Sequence, residues 1–282
     1  MIQISILGCG WLGLPLAKSF IAKKRYSING STTSENKLEI LKNAGINPFL
    51  VILSEVEGTF ESESISESIN DFLAESEILI IDIPPKLRGN IEASDKKIFV
   101  EKIKNLIPFI EKSTVKKVLF VSSTSVYGDE NSLVTEETIR NPETESGKQL
   151  LLAEALLQKN KNFETTILRF GGLIGEDRHP VKFLAGKENL ENPDAPINLI
   201  HQNDCINIIE EIINQSKWND VFNAVAPFHP TREEYYTQKA KEQNLVAPKF
   251  SNEKSNIKKI ISGKKVENSL NYHFKLDVYK LF

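Results

Sequence analysis

"IQISILGCGWLGLPLAKSFIAKK", Ile2–Lys24, decides the fold. Its first six residues form an apolar run with the length and branching of a buried strand. Gly8, Gly10 and Gly13 follow at once in the spacing Gly-x-Gly-x-x-Gly. Leu12–Lys24 then reads as a helix, with Leu12, Leu16 and Phe20 on one face. Glycines so spaced let the chain turn tightly and approach a pyrophosphate closely. The helix amino terminus adds amide donors and the positive end of its dipole. The spacing alone is weak and also fits a turn needed only for packing. Its position between a strand and a helix is the context that a dinucleotide site requires. Gly8, Gly10, Trp11, Leu12 and Gly13 are therefore candidate cofactor-binding residues.

Outward from this unit, strands and helices alternate. Strand patterns run through Tyr26–Thr33 with its exit loop, Phe49–Leu53, Glu77–Pro85, Val115–Ser123 and Thr165–Phe170. Helical patterns lie around Lys96–Ile110 and Gly147–Gln158. Such alternation implies an α/β fold, a Rossmann-type doubly wound parallel sheet with right-handed crossovers. This dinucleotide-binding domain is expected over residues 1–170. After Phe170 the periodicity loosens, and residues 171–282 are expected to form mostly a smaller, loop-rich substrate-binding region. A helix over 203–216 and a strand over 221–226 are expected to return to the first domain. Thr231 and Glu234 have capping-box spacing at the start of another helix, Pro230–Gln243. Ser54–Asn70, rich in serine and glutamate, reads as a solvated loop and helix surface.

Bulk properties set limits. The chain has 282 residues, ample for a sizeable core, and 40% of them are hydrophobic. With 35 basic against 38 acidic residues the net charge is −3, which points away from a nucleic-acid-binding surface. Two distant cysteines, Cys9 and Cys205, suit a reducing compartment rather than a disulfide framework. No apolar run reaches about 18 residues, so no membrane span is expected. The first strand starts at Ile2, which leaves no room for a signal peptide. A cytoplasmic monomer or homodimer that takes a small molecule is the expectation. The four histidines show no metal-ligand spacing.

The exit of the second strand bears on the cofactor. Dinucleotide sites that take NAD place a carboxylate there to hold the ribose hydroxyls. Here the residues are Asn29, Gly30, Ser31, Thr32, Thr33 and Ser34, with Lys37 one turn later and no acid before Glu35. A carboxylate would repel a 2′-phosphate by about 4 kcal/mol at contact with an effective dielectric near 20. Hydroxyls and an ammonium would accept one. The expected cofactor is NADP, through Ser31, Thr32 and Thr33. A polar exit loop without phosphate contact would leave NAD as the alternative.

"SSTSVYG", Ser122–Gly128, closes the fifth strand. With "GCGWLG", "IDIPP", "ILRFGGLIGEDRHP", "NLIHQND" and "VFNAVAPFHPTREEY", it makes nearly the whole chain resemble the extended short-chain dehydrogenase/reductases, the NAD-dependent epimerase/dehydratase superfamily. The resemblance implies that Ser123 contacts the reacting oxygen and that Thr124 and Ser125 face the substrate. Tyr127 belongs to the turn, where it packs the loop. Pro84 and Pro85 would border the cofactor. Arg169 and Arg178, with Asp177 and His179, fall where the family builds its substrate cleft. They read either as ligands of an anionic or polyhydroxylated substrate or as loop salt bridges.

"NPETESGKQLLLAE", Asn141–Glu154, departs from the family. The family's catalytic helix carries a tyrosine and, four residues on, a lysine. Aligned without gaps on Gly147 and Glu154, these fall on Ser146 and Leu150. A shifted register finds Lys148 but puts the tyrosine on Thr144. The phenol is missing either way, which suits an atypical branch with a degraded Tyr-x-x-x-Lys motif. Two functions follow. One is an NAD(P)-binding oxidoreductase or epimerase acting on a small carbonyl or nucleotide-sugar-like substrate, with Ser123 orienting the oxygen and Ser146, Lys148 or a water supplying the proton. The other is a non-catalytic NADP(H)-binding redox sensor or regulator.

Overall fold

The computed structural model describes residues 1–53, 63–85, 87, 98–130, 132–275 and 279. The expectation for the serine- and glutamate-rich segment lies, over 54–62, outside the described residues. In chain order the elements are β1 (Ile2–Leu7), α1 (Gly13–Ala22), β2 (Tyr26–Thr32), α2 (Leu38–Asn43), β3 (Asn47–Leu50), α3 (Glu63–Leu73), β4 (Ile78–Ile81), α4 (Ile98–Lys112), β5 (Lys117–Ser123) and β6 (Leu133–Val134). Then come α5 (Glu145–Lys159), β7 (Glu164–Phe170), β8 (Gly172–Ile174), α6 (Val181–Leu184), β9 (Leu199–His201), α7 (Gln202–Asn214), β10 (Val221–Ala224), α8 (Arg232–Glu242), β11 (Ile260–Ile261) and α9 (Lys264–Leu270).

Seven strands form the central parallel sheet, in the order β10-β7-β5-β4-β1-β2-β3. Its central strands are largely apolar on both faces. All of β4 is buried, and so are the last four residues of β1, as a parallel sheet covered on two sides requires. The chain leaves β1 toward β2 on one side, and β4 lies on the other. That reversal is a topological switch point, and it opens a crevice at the carboxyl ends of β1 and β4. The apolar face expected for α1 is the one buried: Leu12 is 3% exposed, and Leu16 and Phe20 are fully covered. Phe20 meets Tyr26 of β2 edge to face, with ring centroids 5.0 Å apart.

Two polar devices secure the layers. The last turn of α3 leaves carbonyls without helical donors. Ser5 of β1 donates to Phe72 O at 2.6 Å, and Asn29 of β2 donates to the same oxygen at 2.9 Å. At the start of α4, buried Gln149 of α5 accepts from the Phe99 and Val100 amides at 2.9 and 3.2 Å. A side chain 50 positions away thus caps the helix.

The chain divides into two compact units, 1–126 with 142–168 and 212–221, and 127–141 with 169–211 and 222–282. The second contains two short parallel pairs, β6 with β11 and β8 with β9. Thr231 and Glu234 form the expected capping box at α8. His201 ends β9, and its Nδ1 accepts from the Asn203 amide at the start of α7. Buried Asp204 accepts hydrogen bonds from the hydroxyls of Tyr272 and Tyr279. No described helix is long and apolar enough to cross a membrane.

Candidate functional site

The loop between β1 and α1 is built by glycines with different obligations. Gly8 has φ +105°, and a Cβ there would stand 2.4 Å from the Asp82 carbonyl oxygen. A Cβ on Gly13 would stand 2.3 Å from the Gly8 carbonyl oxygen. Both are glycine because the protein's own backbone leaves no room. Gly10 is exposed, and a Cβ there meets nothing within 4 Å. Nothing in the fold demands that residue.

Ser31 fixes the loop from β2. Its hydroxyl accepts from the Gly8 amide at 2.9 Å, and its carbonyl accepts from the Cys9 amide at 2.8 Å. Ser31 is 2% exposed, so its hydroxyl serves the loop from the inside. The Thr32 hydroxyl accepts from the Ser34 amide. Of the three residues expected to face a 2′-phosphate, Thr33 is exposed, and Lys37 is exposed beyond it. Gly30 makes room for Cys9, whose sulfur would lie 2.8 Å from a Cβ there. Burial, aided by the charge of Asp82, pushes the Cys9 thiol up to about 12. Across the crevice, β4 runs into Asp82, Ile83, Pro84 and Pro85. Pro84 is exposed and Pro85 is half-buried. Trp11 is half-buried and Leu12 is buried.

The carboxyl end of β5 carries the hydroxyl cluster. Ser122 is buried and donates to the buried Glu154 carboxylate of α5 at 2.6 Å. Ser123 is half-buried, and its hydroxyl accepts from the Ser125 amide at 3.1 Å, which opens a short helical turn over Thr124–Val126. Thr124 is buried and Ser125 half-buried. Gly147 of α5 sits on this turn, where a Cβ would be 2.3 Å from the Ser125 carbonyl oxygen.

The start of α5 places Thr144, Ser146, Lys148 and Leu150, the positions compared with the expected tyrosine and lysine. Thr144 is the N-cap and accepts from the Gly147 amide. The Ser146 hydroxyl donates to the Leu87 carbonyl at 3.0 Å. Leu150 is 4% exposed and packs in the core, whereas Lys148 is exposed. The structure thus brings Ser123, Thr124 and Ser125 together at the turn after β5 and ties Ser146 into the scaffold.

Arg169 and Arg178 lie in the second unit. Arg169 is fully buried; it donates to the Tyr127 hydroxyl at 2.6 Å, which in turn donates to Asn223 at 2.9 Å. Burial raises the Tyr127 phenol above its ordinary range, against the pull of the Arg169 charge. Arg178 is exposed in a tight turn closed by two backbone bonds with Gly175. His179 is 8% exposed and stacks on Tyr235. Its Nδ1 accepts from the Val181 amide, and desolvation lowers its pKa to about 4.

Sequence reasoning did not find Asp82. Its carboxyl accepts from the Gly13 amide, and burial pushes it up to about 8. The signal present was an acid at the end of a buried strand, one residue, Ile83, before two prolines.

No protein-family model matches the chain. Protein YeeZ of Escherichia coli K12 is 33% identical over 276 residues, covering 97% of this chain and 96% of the relative. Among solved structures, UDP-glucose 4-epimerase of Thermotoga maritima with UDP-glucose superposes with a TM-score of 0.77 at 17% identity, covering 97% of this chain and 94% of that one. UDP-glucuronic acid 4-epimerase of Bacillus cereus in complex with NAD gives 0.76 at 15%, covering 96% and 91%. A short-chain dehydrogenase/reductase superfamily protein of Agrobacterium tumefaciens with bound NAD gives 0.75 at 15%, covering 98% and 94%. The fold that these structures share is the one expected from the glycine loop and the strand–helix alternation.

Proposed function

The chain belongs to the family of Protein YeeZ, on the extended short-chain dehydrogenase/reductase fold, and from that premise we propose that it binds NADP(H) at the β1–α1 loop and acts as an oxidoreductase or epimerase on a small carbonyl or nucleotide-sugar-like substrate. The observation that carries this reading is Gly10. Its two loop partners are glycine because packing forces them to be, while Gly10 faces open space that a dinucleotide's diphosphate would fill. The presence of NAD and of UDP-glucose in structures of the same fold supports the cofactor and substrate classes.

When bound, the nicotinamide supplies hydride transfer. The chain's own residues position the reactants. The positive end of the α1 dipole, beside the open face of Gly10, would hold the diphosphate. Thr33 and Lys37 at the exit of β2 favour a 2′-phosphate over a bare ribose. Ser123 orients the substrate oxygen, and a proton reaches it through the Ser123–Ser125 hydroxyls or a single water. Two observations favour a second reading, a non-catalytic NADP(H)-binding sensor. The Ser146 hydroxyl is committed to Leu87, and Leu150 is buried where the family's lysine would stand.

Calorimetric titration with NADPH and NADH tests the binding, on the parent and on Gly10→Val. NADPH should bind more tightly, and Gly10→Val should keep its melting temperature yet lose the cofactor. A valine variant that binds as well as the parent would leave the loop a packing feature alone. NADPH oxidation across aldehydes, ketones and nucleotide sugars separates enzyme from sensor. Ser123→Ala should cut turnover about 10²-fold with cofactor affinity intact. No turnover on any substrate, with binding retained, selects the sensor.

A further inference from the structure

Asp82 occupies a place that a dinucleotide site would be expected to keep free of negative charge. It follows β4 directly, and its amide donates to the Leu7 carbonyl at 2.9 Å. Its carbonyl limits Gly8. Its carboxyl oxygen lies 3.3 Å from where a Cβ on Gly13 would stand, and the carboxyl accepts from the Gly13 amide. The half-buried group therefore sits at the same loop and helix end that a diphosphate would approach. Two consequences oppose each other. A carboxylate at a helix amino terminus is welcome when the terminus has no other anion. A diphosphate arriving at the same terminus competes for the same dipole and is repelled.

We propose that Asp82 is a proton-coupled positioning residue for the dinucleotide, holding the Gly13 amide and taking up a proton when the diphosphate binds at the same helix end. The inference rests on the dinucleotide reading of the loop. The surroundings suit it. Among the described residues, the titratable group facing the carboxyl is Cys9, from the loop after β1, and α1 contributes the Gly13 amide. Beside it β4 presents Ile83 at the loop, and β5, in register through Ile81 and Phe120, continues with the uncharged Val121 and Ser122. No charged side chain among the described residues enters its balance. Desolvation pushes the carboxyl up to about 8, so that it is largely neutral near pH 7 and ionises just above. The Cys9 thiol, at about 12, stays protonated through that window.

The sign follows from linkage. If the complex forms with the neutral acid, affinity is level below pH 8 and falls about tenfold for each pH unit above it. Ligand binding then draws in close to one proton where the free protein is ionised. The test is calorimetric titration of the full chain with NADPH and with NADH at pH 7, 8, 9 and 9.5, in two buffers of different ionisation enthalpy. This window lies above the second ionisation of a phosphate monoester, near 6. Uptake approaching one proton by the parent at pH 9 is expected. Asp82→Asn keeps an oxygen for the Gly13 amide and should bind with level affinity and no uptake. Parent titrations without proton uptake, or a decline in affinity that Asp82→Asn shares, would overturn the proposal while leaving the dinucleotide site standing. The parent's proton uptake decides the matter even where the variant folds poorly. Failure of both cofactors to bind at every pH would sink the dinucleotide reading and this inference together, an outcome unlike a flat profile.

Discussion

The turn after β1 and the turn after β5 stand at the carboxyl ends of two strands in one sheet, and they have been put to different uses. After β1, packing restricts two glycines and leaves the third facing open space. After β5 and at the facing start of α5, polar groups are turned inward. Ser122 holds Glu154, Ser146 holds the Leu87 carbonyl, and Gln149 caps α4. The contrast teaches that cofactor-binding architecture and proton-transfer machinery are separable on this fold. The first is kept by backbone shape with the Ser31 hydroxyl and the Asp82 carboxyl holding the loop's amides, whereas the second needs particular side chains at particular depths.

The largest effect that could break the comparison lies in the glycines themselves. Gly13→Ala drives a methyl into the Gly8 carbonyl and should cost about 3 kcal/mol or more, read as a fall in the urea midpoint. Gly10→Ala, with open space around it, should stay within about 0.5 kcal/mol of the parent. Equal losses at both positions would mean that the loop is uniformly packed and that Gly10 has no special freedom.

A somewhat smaller effect is expected at Leu150. Installing a tyrosine–lysine pair through Ser146→Tyr and Leu150→Lys places an ammonium where a 4%-exposed leucine now packs. Without a buried partner that charge should cost about 2–4 kcal/mol. Chemical denaturation of the single Leu150→Lys chain checks this. A variant as stable as the parent, with new reductase turnover in the double mutant, would show that α5 is still a catalytic helix awaiting its residues.

What could be seen in the sequence follows the range of the interactions concerned. The strand–glycine–helix unit, the buried face of α1 and the capping box of Thr231 and Glu234 are local, so spacing reveals them. The short strands β8 and β9 were not legible in a stretch that reads as loop, because three-residue strands carry no periodicity of their own. The same holds for the site. Ser31 looks like a phosphate ligand in sequence, yet its hydroxyl bonds a loop 23 residues away. Arg169 looks like a substrate ligand, yet it is buried against Tyr127, 42 residues distant. Asp82 gains its character only when β4 settles beside β1 and sets a carboxyl at the Gly13 amide. Each is a hydroxyl or charge whose role depends on which distant backbone it reaches.

The smallest expected effect concerns Ser146, and it probes the β5–α5 side of the comparison most directly. Its hydroxyl donates one part-buried hydrogen bond to the Leu87 carbonyl. Removing such a donor costs about 0.5–1.5 kcal/mol. Ser146→Ala should therefore shift the melting temperature by a few degrees at most and leave NADPH affinity unchanged. If the chain turns over a substrate by the proposed path through Ser123–Ser125, kcat should change less than twofold, since that path avoids a hydroxyl already committed. A loss in kcat that approaches that of Ser123→Ala, with stability unmoved, would show that Ser146 leaves Leu87 during the reaction. The start of α5 would then belong with the working side of the site, and the separation drawn between the two turns would fail.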